Sequence, residues 1–196
     1  MDRQTEKDDR GQRRARGKGF LARFLRDREG ATAIEFTLLA IPFTVLVFAI
    51  LESCISFAAQ EVLANATDNV ARQIRTGRFE KADITEKAVK DSICDQLGII
   101  VASGCPGLMV DLRTFTKFQD AAKLGFGIGN GDIVLTNNGA IDKFVITPGD
   151  ATEKNMLRVF YKWPVLTDIT ALWMANLGNR TTVHFASAVW QNEPFN

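Results

Sequence analysis

The 196-residue sequence contains a single histidine, His184, and only three cysteines. Serine and cysteine triads need a histidine beside the nucleophile, and zinc sites are built from several Cys and His ligands. We expect His184 to be an ordinary residue of a β-strand, with no serine or cysteine near it in a triad. The composition therefore predicts no catalytic constellation, no metal and no cofactor, and favours a structural role over an enzymatic one.

Phosphate-binding loops are also missing. Residues 125–131 are rich in glycine, but the glycines recur at every second position and fit neither the dinucleotide-binding fingerprint nor a P-loop. We interpret this stretch as a flexible loop.

Charge is absent from residues 36–51, which lie between Glu35 and Glu52. A helix that rises about 1.5 Å per residue covers roughly 25 Å between these two carboxylates, close to the roughly 30 Å hydrocarbon core of a bilayer. The run is longer than the apolar region of a secretory signal. It therefore predicts a membrane-spanning helix that ends at about residue 53, and a signal peptide removed after residues 56–58 is the alternative.

Positive charge is concentrated in residues 1–30, where ten Lys and Arg face six Asp and Glu, a net charge of +4. Lys and Arg directly before an apolar helix remain on the cytoplasmic side and orient that helix. We expect residues 1–30 to be a basic cytoplasmic leader and the residues after the helix to lie outside the cytoplasm. Basic arms of this kind also bind nucleic acid in other proteins, but nucleic acid is not expected as a partner here.

Glu35 lies at the edge of the apolar run, where an ionised carboxylate is costly and needs a partner. One interpretation places Glu35 at the cytoplasmic interface beside Arg28, solvated by water. In the other, the chain is cut between Gly30 and Ala31, so that Glu35 becomes the fifth residue of the mature chain. Its carboxylate then pairs with the terminal ammonium of a neighbouring copy.

Residues 30–36, GATAIEF, resemble the prepilin-peptidase site of pilin-like proteins, specifically the TadE-like pseudopilins of bacterial tight-adherence pilus systems. The resemblance covers about residues 28–75, and the NEPF sequence at 192–195 is similar to the end of many TadE-like chains. Glu29 and the pair at residues 52–53 depart from the family pattern.

The resemblance implies cleavage by a prepilin peptidase and work as a minor subunit in pilus assembly, within the filament or as a primer of it. The implied partners are the membrane, other pilin or pseudopilin subunits and the assembly machinery. The implied location is the bacterial inner membrane, with the C-terminal domain in the periplasm and a link to cell adhesion.

The helical period continues past the apolar run, so we expect one helix over residues 31–77, ended by Gly77. Pro42 lies inside it and should kink its axis. We expect the outer half of the helix to pack on its own domain through an apolar stripe: Ile55, Phe57, Ala58, Val62, Ala66, Val70 and Ile74.

Cys94 lies near the end of a predicted second helix, which we expect to be N-capped by Asp83, with Glu86 three residues on, and to end at Gly98. Cys105 follows in a loop. In an extracytoplasmic domain two such cysteines favour a disulfide over a metal pair. Cys54 is interpreted as a small apolar side chain, with a reactive thiol as the alternative.

The remaining residues, 78–196, are expected to form an α+β domain in which the long N-terminal helix packs on a small antiparallel sheet of about three to five strands. Strands are predicted at residues 108–113, 144–147, 156–163 and 181–190, and a short helix at residues 166–177. A membrane-anchored periplasmic enzyme or binding protein, with the helix as a plain anchor, is the alternative function.

Overall fold

The computed structural model describes residues 31–194. The predicted leader, residues 1–30, lies outside the described residues, and this includes Gly30 of the predicted cleavage site. Helix α1 runs from Ala31 to Arg75 without interruption. Gly77 follows with a φ of 69°, and its N–H donates to the carbonyl of Ile74 at 3.1 Å. The long helix and its glycine terminator are confirmed.

The chain divides into two compact units, Met1–Phe48 and Ala49–Asn196. Of the first unit the structure describes residues 31–48, which are helical throughout. Pro42 lies within this helix, and the kink expected there stays a prediction. The second unit combines the outer part of α1 with the rest of the chain.

Two antiparallel sheets of three strands each form the second unit, which confirms the α+β class. The strands of the first sheet are β1 (Leu108–Phe115), β5 (Lys154–Pro164) and β6 (Thr181–Gln191). Those of the second are β2 (Leu124–Gly129), β3 (Asp132–Asn137) and β4 (Ala140–Asp142). In the first sheet β5 lies between β1 and β6, and in the second β3 lies between β2 and β4.

The main core lies where α1 packs with the first sheet, as the sequence predicts. The stripe is displaced at its start, however, because Phe57 is 72% exposed and Ile55 50% exposed, and Ala58 is exposed too. Buried side chains of α1 recur at three- and four-residue spacing, which brings one face onto β1, β5 and β6. The residues of that face are Glu52, Ser56, Ala59, Leu63, Ala66, Thr67, Val70, Ala71 and Ile74.

The predicted loop at residues 125–131 is wrong, because most of it is strand β2, paired with β3. Asn130 and Gly131 turn the chain with φ values of 53° and 76°, as in a tight hairpin. Phe126 lies against Phe160 at 5.0 Å and Phe185 at 4.6 Å between ring centroids. Alternation of glycine with Phe126 and Ile128 is thus the pattern of a strand.

The predicted strand at residues 144–147 is also wrong. This segment runs beside β1, where Leu112 donates to the carbonyl of Val145 at 2.8 Å and Thr147 donates to that of Leu112 at 2.8 Å. The bridge between Leu112 and Ile146 remains isolated. A side chain explains the interruption, since the N–H of Val145 donates to the carboxylate of Asp111 at 3.0 Å.

Three shorter α-helices and one 3-10 helix (Lys81–Asp83) complete the described chain: the α-helices are α2 (Glu86–Leu97), α3 (Phe118–Ala121) and α4 (Asp168–Met174). Helix α2 ends at Gly98 as predicted, but its N-cap is Thr85, whose hydroxyl accepts from Ala88 N–H at 3.2 Å. The helix predicted over residues 166–177 is shorter, with Thr167 as its N-cap.

Candidate functional site

The predicted processing site lies between Gly30, which is outside the described residues, and Ala31, the first described residue. Residues four apart lie on one helix face, about one turn from each other. Glu35 therefore lies about one helical turn beyond Ala31, and its side chain is exposed. Among residues 31–194 it forms no ion pair.

The apolar part of α1 presents its side chains outward. It is long and hydrophobic enough to cross a membrane, and none of its most hydrophobic stretch is buried within the described chain. The hydroxyls of Thr37 and Thr44 donate to the carbonyls of Ala33 and Ala40 at 2.8 and 2.7 Å, so they are satisfied within the helix, as a lipid environment requires. Exposed side chains include Ile34, Phe36, Leu38, Leu39, Ile41, Phe43, Leu46 and Phe48.

Glu52 ends the apolar run and is only 6% exposed. Its carboxylate accepts from Leu166 N–H, from the Thr167 hydroxyl at 2.9 Å and from the Thr170 hydroxyl at 2.5 Å. It thus lies at the start of α4, where helix N–H groups favour a negative charge. Sequence reasoning treated Glu52 as the end of the apolar run and did not predict its contact with α4. The one local signal for that contact is the N-capping threonine before Asp168.

His184 lies in β6 as predicted, beside a serine that sequence reasoning did not place there. Its Nε2 is 3.0 Å from the hydroxyl of Ser56, and its ring stacks on Trp163 with 5.2 Å between centroids. Burial lowers the pKa of His184 to about 4. No carboxylate of the described chain hydrogen-bonds to this histidine, and both members of the pair are buried, so the contact is typical of core packing.

A second polar cluster joins the two sheets. The alternation in β1 predicts that Asp111 faces solvent, but it is 0% exposed and Arg158 is 1% exposed, because the second sheet covers that face. Arg158 donates to Asp111 at 2.8 Å and to the carbonyl of Gly125 at 3.0 Å. Arg113 bridges Asp111 to Asp142 at 3.0 and 2.5 Å.

Residues 30–72 match the TadE-like protein family. The match begins at Gly30, includes Glu35 and the whole apolar run, and ends three residues before the end of α1. It confirms the family resemblance carried by residues 30–36. No curated protein sequence and no solved structure matches the chain.

Outside the TadE-like segment, the predicted disulfide is present. Cys94 of α2 and Cys105 are bonded, with 5.8 Å between their Cα atoms. The bond ties the end of α2 to the loop before β1. Cys54 is free and exposed.

The Asn-Glu-Pro sequence near the C-terminus also has a structural role. Asn192 is 3% exposed. It accepts from the indole N–H of Trp190 at 2.8 Å and donates to the carbonyl of Gly149 at 3.0 Å. Glu193 N–H donates to the carbonyl of Arg75 at 3.0 Å. The Asn-Glu-Pro sequence therefore contacts the C-terminal end of α1, just beyond residues 30–72.

Proposed function

We propose that the chain is a pilin-like (pseudopilin) subunit that acts in pilus biogenesis after its leader is removed between Gly30 and Ala31. One observation carries the proposal: the TadE-like match begins at Gly30 and spans Glu35 and the whole uncovered apolar run of α1. Cleavage between Gly30 and Ala31 makes Glu35 the fifth residue of the mature chain.

The surface of α1 from residue 32 to residue 48 has no partner within the described chain, except where Ala40 is half-buried. Without lipid or other helices, this much apolar surface in water would drive aggregation. We propose that it inserts in the bacterial inner membrane and packs there against other pilin or pseudopilin subunits and the assembly machinery. In lipid, van der Waals packing and polar contacts drive such association.

Glu35 is proposed as the polar contact. A carboxylate at bilayer depth costs about 2.5 to 3.5 kcal/mol. Pairing with the terminal ammonium of a cleaved neighbour is worth about 4 kcal/mol at a separation of about 4 Å and an effective dielectric constant near 20. The two terms nearly cancel, so a subunit with its partner is stable in lipid. The pair also sets the axial stagger between neighbouring helices.

The proposed topology has the leader in the cytoplasm, where the prepilin peptidase acts, and the second unit in the periplasm. The basic leader supports this orientation through the positive-inside rule. The Cys94–Cys105 disulfide supports it independently, because structural disulfides persist in oxidising compartments such as the periplasm.

Mass spectrometry of the membrane-extracted protein tests the processing step. We expect a mature chain that begins at Ala31. Gly30→Leu should leave the full-length precursor in the membrane with unchanged topology, and Gly19→Leu, the same substitution within the leader, should be cleaved normally. A chain beginning near Ala59 would support a signal peptide. An uncleaved chain whose periplasmic domain is active by itself would support the anchored enzyme or binding protein.

Glu35→Gln tests the pairing. Cleavage and insertion should persist, while crosslinking to other pilins and the number of pili should fall. Glu61→Gln is the matched control, because Glu61 is exposed on the same helix beyond the apolar run. Normal crosslinking and normal piliation with Glu35→Gln, at wild-type protein level, would refute the pairing even if cleavage after Gly30 were established.

A further inference from the structure

Helix α4 has its apolar face turned outward. Thr167 and Thr170 point to the buried carboxylate of Glu52. Ile169, Leu172 and Trp173 are exposed, and their spacing of three and four residues places them on one face of α4, while Leu166 is exposed just before the N-cap. Their exposed fractions are 73% for Leu166, 54% for Ile169, 82% for Leu172 and 87% for Trp173.

This arrangement is the reverse of what folding in water favours. Burial of a large apolar side chain stabilises a protein by about 1.5 to 3 kcal/mol, so a helix beside a core normally turns such residues inward. In this segment the threonine side chains face the protein interior, and four large apolar side chains are exposed at the surface. Contiguous apolar patches of this kind mark interaction sites.

The position of α4 indicates what covers the patch. Glu52 holds the N-terminus of α4, and the hydroxyl of Ser53 lies 3.7 Å from the sulfur of Met174 near its C-terminus. Glu52 directly follows Leu51, the last residue of the apolar run, which is itself 51% exposed. The patch is therefore held beside the point at which the apolar run of α1 ends.

We propose that α4 is a membrane-interface element whose exposed face enters the boundary between headgroups and acyl chains of the bilayer that holds α1. Trp173 is the residue type that bilayer interfaces favour, and short amphipathic segments bind there through an apolar face. Asp168 forms an ion pair with Arg180 at the polar side of α4, so no unpaired acid there faces the lipid phosphates.

The proposal rests on membrane insertion of α1, which is part of the proposed function. A single helix fixes a domain to the membrane but leaves the domain free to tilt relative to the bilayer surface. A second contact through α4 restricts that tilt. The second unit would then be held at one defined tilt when it meets neighbouring subunits.

Tryptophan fluorescence of the full chain in liposomes tests this contact, because Trp163 and Trp190 are only 8% and 7% exposed while Trp173 is exposed. The liposomes contain phosphatidylcholine and phosphatidylglycerol, with or without bromine on the acyl chains. We expect brominated lipid to remove the Trp173 share of the emission, about one third for one tryptophan of three. Trp173→Phe should abolish this loss, and soluble acrylamide should quench Trp173 only weakly.

A relocated tryptophan is the matched control. Ile99 is 93% exposed. It follows Gln96, which hydrogen-bonds to Asn69 at 2.9 Å. Asn69 lies 17 residues beyond Glu52, about 25 Å farther along α1. In the double variant Trp173→Phe, Ile99→Trp, acrylamide should quench the new tryptophan and brominated lipid should not.

Two results would overturn the inference while leaving membrane insertion intact: access of acrylamide to Trp173 in liposomes, or shielding of Trp173 from both quenchers, which indicates a protein partner. Extraction of the chain from the liposomes by alkaline carbonate would overturn both the inference and the insertion of α1.

Discussion

Replacing Asp111 with Asn should destabilise the folded chain by about 3 to 5 kcal/mol, the usual cost of breaking a buried ion pair from one side. Asp111 accepts from Arg158 Nε and Nη2 at 3.1 and 2.8 Å, from Arg113 Nε and from Val145 N–H at 3.0 Å. Asn keeps the shape but turns one acceptor oxygen into a donor. The guanidinium of Arg158, 1% exposed, then lacks its counter-ion.

The same geometry predicts non-additivity. Arg158→Met alone leaves the Asp111 carboxylate buried without its main partner, and should cost a similar amount. The double variant Asp111→Leu, Arg158→Met removes both charges together. Its stability should exceed that of either single variant, because no uncompensated charge remains between the sheets.

Guanidinium unfolding of the full chain in mild detergent measures these differences, with the buried Trp163 and Trp190 as fluorescent reporters. Asp142→Asn is the control, because Asp142 binds Arg113 from the partly exposed end of the same cluster and its loss should cost less. The reasoning fails if Asp111→Asn is no more destabilising than Asp142→Asn, or if the double variant shows the summed loss of the two single variants.

Three further predictions concern single contacts. Glu52→Gln should lower the free energy of unfolding by about 2 kcal/mol, because charge-assisted hydrogen bonds to α4 are lost, and should speed proteolysis within residues 165–180; unchanged cleavage would contradict this. His184 has a pKa of about 4 when folded against an ordinary 6.5. The unfolded chain therefore binds more protons between these values, and stability should fall by up to about 3 kcal/mol as the pH drops from 7 to 4, an effect that His184→Phe should remove. Under denaturing, non-reducing conditions one thiol, that of Cys54, should be labelled, and reduction of the Cys94–Cys105 bond should cost about 3 kcal/mol; three labelled thiols would refute the pairing.

The features that sequence reasoning predicted correctly depend on local patterns. The period of α1, the glycine that ends it and the alternation in β1, β5 and β6 are each encoded within a few residues of the chain. The disulfide between Cys94 and Cys105 follows from their small separation and from the inferred compartment. The match at residues 30–72 likewise depends on one continuous segment.

The features that it missed depend on what a segment meets in space. Asp111 alternates as a solvent-facing residue would, and only the second sheet makes it buried. The same sheet turns the glycine-rich residues 124–129 into a strand, because Phe126 packs on Phe160. The hydrophobic period of α4 is correct as a helix signal, but period alone does not say whether the apolar face meets a core or a lipid surface.

Helix α1 also constrains the order in which this chain can fold. Its inward side chains meet partners far along the sequence: Ser56 and His184 are 128 residues apart, and Gln60 and Phe185 are 125 apart. A helix forms in about a microsecond, whereas contacts between distant segments form slowly. During synthesis the part of the inward face of α1 that packs on β6 therefore stays uncovered until β6 has been made. A chain halted between β5 and β6 would expose this part of the face, as a target for chaperones or proteases.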